Sequence, residues 1–79
     1  MTLQLEFTVE PFVEGAPGPH VQAAVDAASA AGLAVEFGPF GTAVSGDDAA
    51  VLGAVGEIVQ AAVSAGATRV SLQVARVDT

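Results

Sequence analysis

The sequence predicts one α+β domain in which a four-stranded antiparallel sheet carries two helices on one face. The chain has 79 residues, enough for a single domain that spans residues 1–79. Four segments follow the two-residue period of strands, and two segments place apolar residues at helical spacing. Their order along the chain is strand, helix, strand, strand, helix, strand.

The first strand is predicted at 3–9, because apolar residues occupy the odd positions and polar residues the even ones. A loop rich in Gly and Pro at 13–19 follows. A helix is predicted at 19–31, since Pro19 suits a first helical turn and Gly32 suits the position after a helix. The apolar face of this helix comprises Val21, Ala24, Val25, Ala28 and Ala31.

The middle of the chain predicts a hairpin and a second helix. Strands at 33–37 and 42–45 are separated by a turn that contains Gly and Pro. Asp47 and Asp48 then open a helix, since carboxylates there accept hydrogen bonds from free N–H groups, and Gly66 closes it. Its apolar residues form two neighbouring stripes, Val51, Val55, Ile58 and Ala62 in one and Leu52, Val59 and Val63 in the other.

A last strand at 69–77 completes two βαβ units joined by a hairpin, which predicts the ferredoxin-like βαββαβ sandwich. The face beneath the helices would take Leu3, Leu5, Phe7, Val9, Leu33, Val35, Phe37, Val70, Leu72 and Val74. The opposite face would stay open and carry Gln4, Glu6, Thr8, Ala34, Glu36, Ala43, Ser45, Ser71, Gln73 and Ala75. This assignment depends on strand register, because a shift of one residue exchanges the two faces.

Composition excludes several classes of function. The formal net charge is -7, and Arg69 and Arg76 are the only Arg or Lys residues. Nucleic acid and anionic membrane surfaces both need more cations than this, so neither is an expected partner. Without cysteine there is no disulfide, thiolate metal site or cysteine nucleophile.

The single histidine and the lack of cysteine bear on metal binding, catalysis and cellular location. His20 is expected on the surface at a helix start, and no second ligand lies at metal spacing, so we expect no metal and no cofactor. One histidine without cysteine gives no basis for a catalytic triad, and we expect no enzyme activity. Small secreted domains often carry disulfides, so the absence of cysteine favours the cytoplasm, and neither a signal-like nor a membrane-spanning segment is predicted.

The balance of apolar and charged residues predicts self-association. Hydrophobic residues make up 52% of the chain and charged residues 14%, so there are too few charges to coat the surface of so small a domain. Small domains are also marginally stable when alone. We therefore expect a homodimer or a homotetramer.

Three segments carry a family resemblance: 6–11 (EFTVEP), 35–47 (VEFGPFGTAVSGD) and 65–70 (AGATRV). The hairpin segment, with its Gly-Pro-x-Gly-Thr turn, is the most specific of the three. Together they resemble the YkoF-like thiamine-binding family across nearly the whole chain. The resemblance implies a ferredoxin-like fold, domains that associate through their sheets, and binding of thiamine or its hydroxymethylpyrimidine moiety without catalysis, in storage, delivery or salvage of the vitamin.

Glu6 and Glu36 are the first candidate ligand-binding residues. A carboxylate can accept hydrogen bonds from the amine of an aminopyrimidine or lie near a thiazolium cation. The alternative is that both are ordinary solvated residues of a strand.

Four further residues complete the candidate site. Thr8, Thr42 and Ser45 offer hydroxyl groups that both donate and accept hydrogen bonds, as a pyrimidine requires. Strand propensity for the threonines and a turn role for Ser45 are the alternatives. Thr42 lies in the most specific motif, which favours a functional role for it, either directly or through the structure of the turn. Phe40, at the tip of the hairpin, could stack on a pyrimidine ring, fold under the hairpin or enter a subunit interface.

Two other functions remain open from the sequence alone. An ACT-like regulatory domain that senses an amino acid has the same order of elements. A ligand-free oligomerisation module would use the two apolar stripes of the second helix and the open face of the sheet.

Overall fold

Six helices and strands follow one another in the predicted order in this computed structural model, which describes residues 1–11, 18–38 and 41–77. The first unit of the fold contains β1, Thr2–Glu10; α1, Pro19–Ala30; and β2, Ala34–Gly38. The second contains β3, Gly41–Asp47; α2, Asp48–Ser64; and β4, Arg69–Arg76.

The strands form one antiparallel sheet in the order β2-β3-β1-β4, so β1 and β3 are central and the other two are edges. This topology confirms the predicted ferredoxin-like sandwich. Leu5 of β1 lies opposite Val44 of β3 and Val74 of β4, whereas Glu6 lies opposite Ala43 and Gln73. Because paired residues share a face, the predicted division of β1 into an apolar and a polar face is confirmed.

Both helices pack on the face that carries Leu5, and the core lies between them and the sheet. Alanines supply much of the helical side of this core, and their small side chains let the helices lie close to the strands. Leu5, Val44, Val51 and Ile58 are the largest fully buried side chains. The predicted stripe of α2 that contains Val51 therefore faces the sheet, and Leu52 and Val63 of the second stripe remain exposed.

Phe37 and Val74 were expected beneath the helices, but 61% of Phe37 and 43% of Val74 are exposed. Their register places them on the helix-covered face, opposite Thr42 and Leu5 respectively. Val74 belongs to the edge strand β4, which α2 contacts less extensively than it contacts the central strands, and this accounts for its partial exposure. Phe37 lies near the hairpin end of β2, a strand that α1 does contact, so edge position alone does not account for its exposure.

The helix ends agree with the glycine signals. Gly32 follows α1 with φ at +80°, and Gly66 follows α2 with φ at +109°, both in the region that favours glycine. The expected capping by Asp47 is wrong, since its side chain makes no capping hydrogen bond. Asp47 is still the last residue of β3, where it lies opposite Thr2, so it is extended when the helix begins.

His20 is not on the surface, which corrects the expectation from its place at a helix start. It is 5% exposed, and its ring nitrogen Nε2 lies 2.6 Å from the carbonyl oxygen of Pro11. The first turn of α1 therefore lies against the residue that follows β1. The hydrogen bond satisfies a polar ring in a buried position.

Candidate functional site

The face of the sheet opposite the helices contains a cavity of about 590 Å³. All four strands contribute to it, mainly near the hairpin that joins β2 to β3. Its lining residues are Glu6, Phe7, Thr8, Glu36, Phe37, Gly41, Thr42, Ala43, Ser71, Leu72 and Gln73.

One row of residues across the sheet defines the floor and two walls of this cavity. The register places Glu36, Ala43, Glu6 and Gln73 side by side on β2, β3, β1 and β4. Adjacent strands lie about 4.8 Å apart, so the backbones of Glu6 and Glu36 are separated by about 10 Å. Ala43 lies between them with a single methyl group. The two exposed glutamates therefore lie on either side of the small side chain of Ala43.

A second row supplies hydroxyl groups. Thr8 of β1 lies opposite Ser71 of β4, two residues along each strand from the pair that contains Glu6. Each hydroxyl can donate one hydrogen bond and accept others. The cavity thus combines negatively charged carboxylates, which accept hydrogen bonds, with neutral hydroxyl groups, which both donate and accept them.

Gly41 lets the hairpin backbone approach β1 closely at the edge of the cavity. A Cβ atom at this position would lie 2.8 Å from the carbonyl oxygen of Phe7 and 3.0 Å from Cγ2 of Thr8. Its φ of +156° also disfavours other residues. Gly41 was not among the predicted site residues, although its place in the Gly-Pro-x-Gly-Thr turn was a signal that could have found it.

Three of the predicted ligand-binding residues, Glu6, Thr8 and Glu36, come together on the cavity wall. Ser45 lies on the same face, since it pairs with Gln4 and Ala34, but it lies one row further from the hairpin and does not line the cavity.

The other two predicted residues are placed differently. Thr42 lies opposite Phe7, so its side chain belongs to the helix-covered face, and the residue is 5% exposed. A strand presents main-chain atoms to both faces, which accounts for Thr42 in the cavity lining. Phe40 lies outside the described residues. The ligand-binding roles of all six residues, Glu6, Thr8, Glu36, Phe40, Thr42 and Ser45, remain predictions.

Ser71 and Gln73 line the cavity and were not among the predicted ligand residues. Their alternation in the last strand had placed them on the open face, and the register confirms this. Only the pairing of β4 with β1 shows that they lie beside Thr8 and Glu6. That neighbour relation joins residues more than 60 positions apart in sequence, where no local pattern operates.

The cavity is negatively charged. Arg69 approaches Glu10, with Nε 3.7 Å from Oε2, where β1 ends and β4 begins. Arg76 lies opposite Leu3, which is buried in the core, so the register assigns Arg76 to the helix-covered face. Among the described residues, no ion pair involves Glu6 or Glu36.

The site has the chemistry of a binding pocket. Its polar groups are carboxylates, hydroxyls and an amide, which suit a cationic or amine-bearing ligand. Within 1–11, 18–38 and 41–77, no three His, Asp or Glu residues form a group able to hold a metal ion. Nor does either described helix have the length and apolar character needed to cross a membrane.

Comparison with known proteins identifies the family. Residues 5–79 match the family described as thiamine-binding protein. The chain belongs to this family. The resemblance inferred from the sequence is confirmed, and the thiamine-binding protein family is a family of binding proteins. A search of curated proteins found no match.

Solved structures agree with this assignment. A protein from Thermotoga maritima, provisionally assigned to thiamine biosynthesis or salvage, is 26% identical, with a TM-score of 0.65 over 95% of this chain and 81% of its own. A domain of unknown function from Bacillus cereus is 25% identical, with a TM-score of 0.66 over 94% of this chain and 72% of its own. A hypothetical protein from Methanocaldococcus jannascii, 24% identical with a TM-score of 0.69, covers 99% of this chain and 84% of its own and supports the fold alone.

Proposed function

We propose that this chain binds thiamine or its hydroxymethylpyrimidine moiety without catalysis, in storage, delivery or salvage of the vitamin. The observation that carries the proposal is the pair of exposed carboxylates, Glu6 and Glu36, on either side of Ala43 in the open-face cavity. Membership of the thiamine-binding protein family supports the same ligand class.

The chemistry of the ligand matches the cavity. Thiamine contains an aminopyrimidine ring and a positively charged thiazolium ring. In the proposed complex, one carboxylate accepts a hydrogen bond from the exocyclic amine, and the negative charge of the pair balances the cation. The hydroxyls of Thr8 and Ser71 and the amide of Gln73 can serve the ring nitrogens, because each both donates and accepts.

The same proposal includes the organisation of the protein. Residues 1–79 would form one ligand-binding domain in the cytoplasm that associates into a homodimer or homotetramer, with no metal or nucleic acid. Apolar side chains exposed on both edge strands and on α2 support self-association; they are Phe37, Leu52, Val63 and Val74.

The test is isothermal titration calorimetry with thiamine, hydroxymethylpyrimidine and a panel of amino acids, together with light scattering in the same buffer. We expect heat with thiamine or hydroxymethylpyrimidine. Glu6→Gln and Glu36→Gln should each weaken binding about tenfold, since a hydrogen bond to a charged group contributes about 1.5–3 kcal/mol, less where solvent screens it.

Glu57→Gln is the matched control. Glu57 is exposed on α2, on the other side of the sheet, and the substitution removes the same charge. The Glu57→Gln variant should bind thiamine or hydroxymethylpyrimidine with the same affinity as the unsubstituted protein. Heat with an amino acid alone would support an ACT-like sensor, and an oligomer that binds none of the ligands would support a purely structural role; both outcomes would end the proposal.

A further inference from the structure

We infer that the open-face cavity selects the unphosphorylated, cationic form of its ligand and rejects phosphate esters of the same molecule. This inference rests on the proposed function and goes one step beyond it, to the chemical state of the ligand. It is carried by the position of every cationic side chain in the chain relative to the cavity.

The sequence contains two arginines, one histidine and no lysine, so the side chains that could balance a phosphate are few. Arg69 lies on the open face, one row beyond Thr8 and Ser71, but it does not line the cavity, and its Nε lies 3.7 Å from Oε2 of Glu10. Arg76 belongs to the helix-covered face by its register opposite Leu3. His20 is buried on α1 and is hydrogen-bonded to the carbonyl of Pro11, so none of the three lines the cavity.

Phosphate can also be held without a cation, at the N-terminus of a helix where backbone N–H groups are free. Neither helix offers this to the cavity, since every described lining residue belongs to one of the four strands. The start of α2 is moreover acidic, with Asp47 and Asp48, and the N–H group of Asp48 already donates to the carbonyl of Met1 at 2.9 Å. In the part of the chain that the structure describes, the cavity lining therefore contains neither a cationic side chain nor a helix N-terminus.

The carboxylates at the cavity would repel a phosphate group. A phosphate ester places one to three negative charges within a ligand's length of Glu6 and Glu36, both exposed and outside any ion pair among the described residues. The repulsion acts only on the phosphorylated form, while the attraction to the thiazolium is common to all forms. We expect thiamine diphosphate to bind at least about tenfold more weakly than thiamine, a difference of about 1.4 kcal/mol.

The experiment measures affinity for thiamine, thiamine monophosphate and thiamine diphosphate by calorimetry at about 0.05 M and 0.5 M salt. Affinity should fall with each added phosphate at low salt. The difference should narrow at high salt, because the Debye length falls well below the ~10 Å of 0.1 M salt.

Two variants test the cause. Gln73→Lys adds a cation beside Glu6 at an exposed position and should raise the affinity for the diphosphate relative to thiamine. The corresponding change on α2, Gln60→Lys, adds the same charge away from the cavity and should leave the ratio unchanged. Circular dichroism spectra that match the parent protein would show that both variants are folded.

The outcomes separate the inference from the proposed function. Equal affinity for thiamine and its diphosphate, or tighter binding of the diphosphate, would overturn the inference and leave the proposed function intact. A preference for thiamine that responds neither to salt nor to Gln73→Lys would overturn its electrostatic basis. Binding of neither thiamine nor hydroxymethylpyrimidine would end the proposed function, and the inference with it.

Discussion

Val51 and Val63 of α2 offer a matched test of which helical face lies on the sheet. Val51 is fully buried, whereas Val63, on the same helix, is 55% exposed. Val→Ala removes two carbon groups, each contributing about 0.8 kcal/mol when buried, and leaves a cavity that adds to the loss. We expect V51A to lower the free energy of unfolding by about 2–3 kcal/mol.

The same substitution at the exposed position should cost almost nothing. Alanine has the higher helix propensity, by a few tenths of a kcal/mol, and this gain is common to both variants, so it cancels in the comparison. Urea unfolding followed by circular dichroism measures both. Since the dependence on urea is about 1 kcal/mol/M for a short chain, the two midpoints should differ by about 2–3 M.

Equal losses in the two variants would refute the assignment of the buried and exposed faces of α2. The measurement is repeated at a tenfold higher protein concentration, because association stabilises the folded state by mass action. A loss at Val63 that appears only as concentration rises would place that face between two copies of the chain. A loss independent of concentration would place it in the core, contrary to the structure.

Two further predictions concern the hairpin and the first helix. Gly41→Ala places a methyl group 2.8 Å from a carbonyl oxygen of β1. Ligand affinity should therefore fall at least about tenfold, while the far-UV circular dichroism spectrum stays the same. Calorimetry that shows unchanged affinity would mean that the hairpin does not shape the cavity. His20→Phe keeps a buried ring but removes the donor to Pro11, so urea unfolding should show a loss of about 1 kcal/mol, and an undiminished stability would contradict a structural role for that hydrogen bond.

Much of the fold was predictable because its determinants are local. The period of two in β1, and the same period in the last strand, assigned faces that the register confirms. The glycines after the two helices marked their ends to within about two residues, because glycine alone adopts positive φ without strain. The order of elements then left few topologies, since βαβ connections are right-handed.

The candidate site was predictable in part. Glu6, Thr8 and Glu36 were named from their alternation and from the family resemblance, and the structure brings them to one cavity. Thr42 shows what this approach leaves open, because a specific motif does not say whether a residue acts through its side chain or through its backbone. Its register opposite Phe7 places the side chain on the helix-covered face.

The sequence by itself determined which residues form each strand and helix, and on which face of the sheet each strand residue lies. These are properties of a few neighbouring residues, encoded by spacing along the chain. The tertiary structure decided what lies beside what. Strand order leaves Val74 at a partly uncovered edge. The pairing of β4 with β1 brings Ser71 and Gln73 to the cavity, and the approach of α1 to the end of β1 buries His20. Such contacts join residues that are distant in sequence, so the periodicity of neighbouring residues cannot predict them.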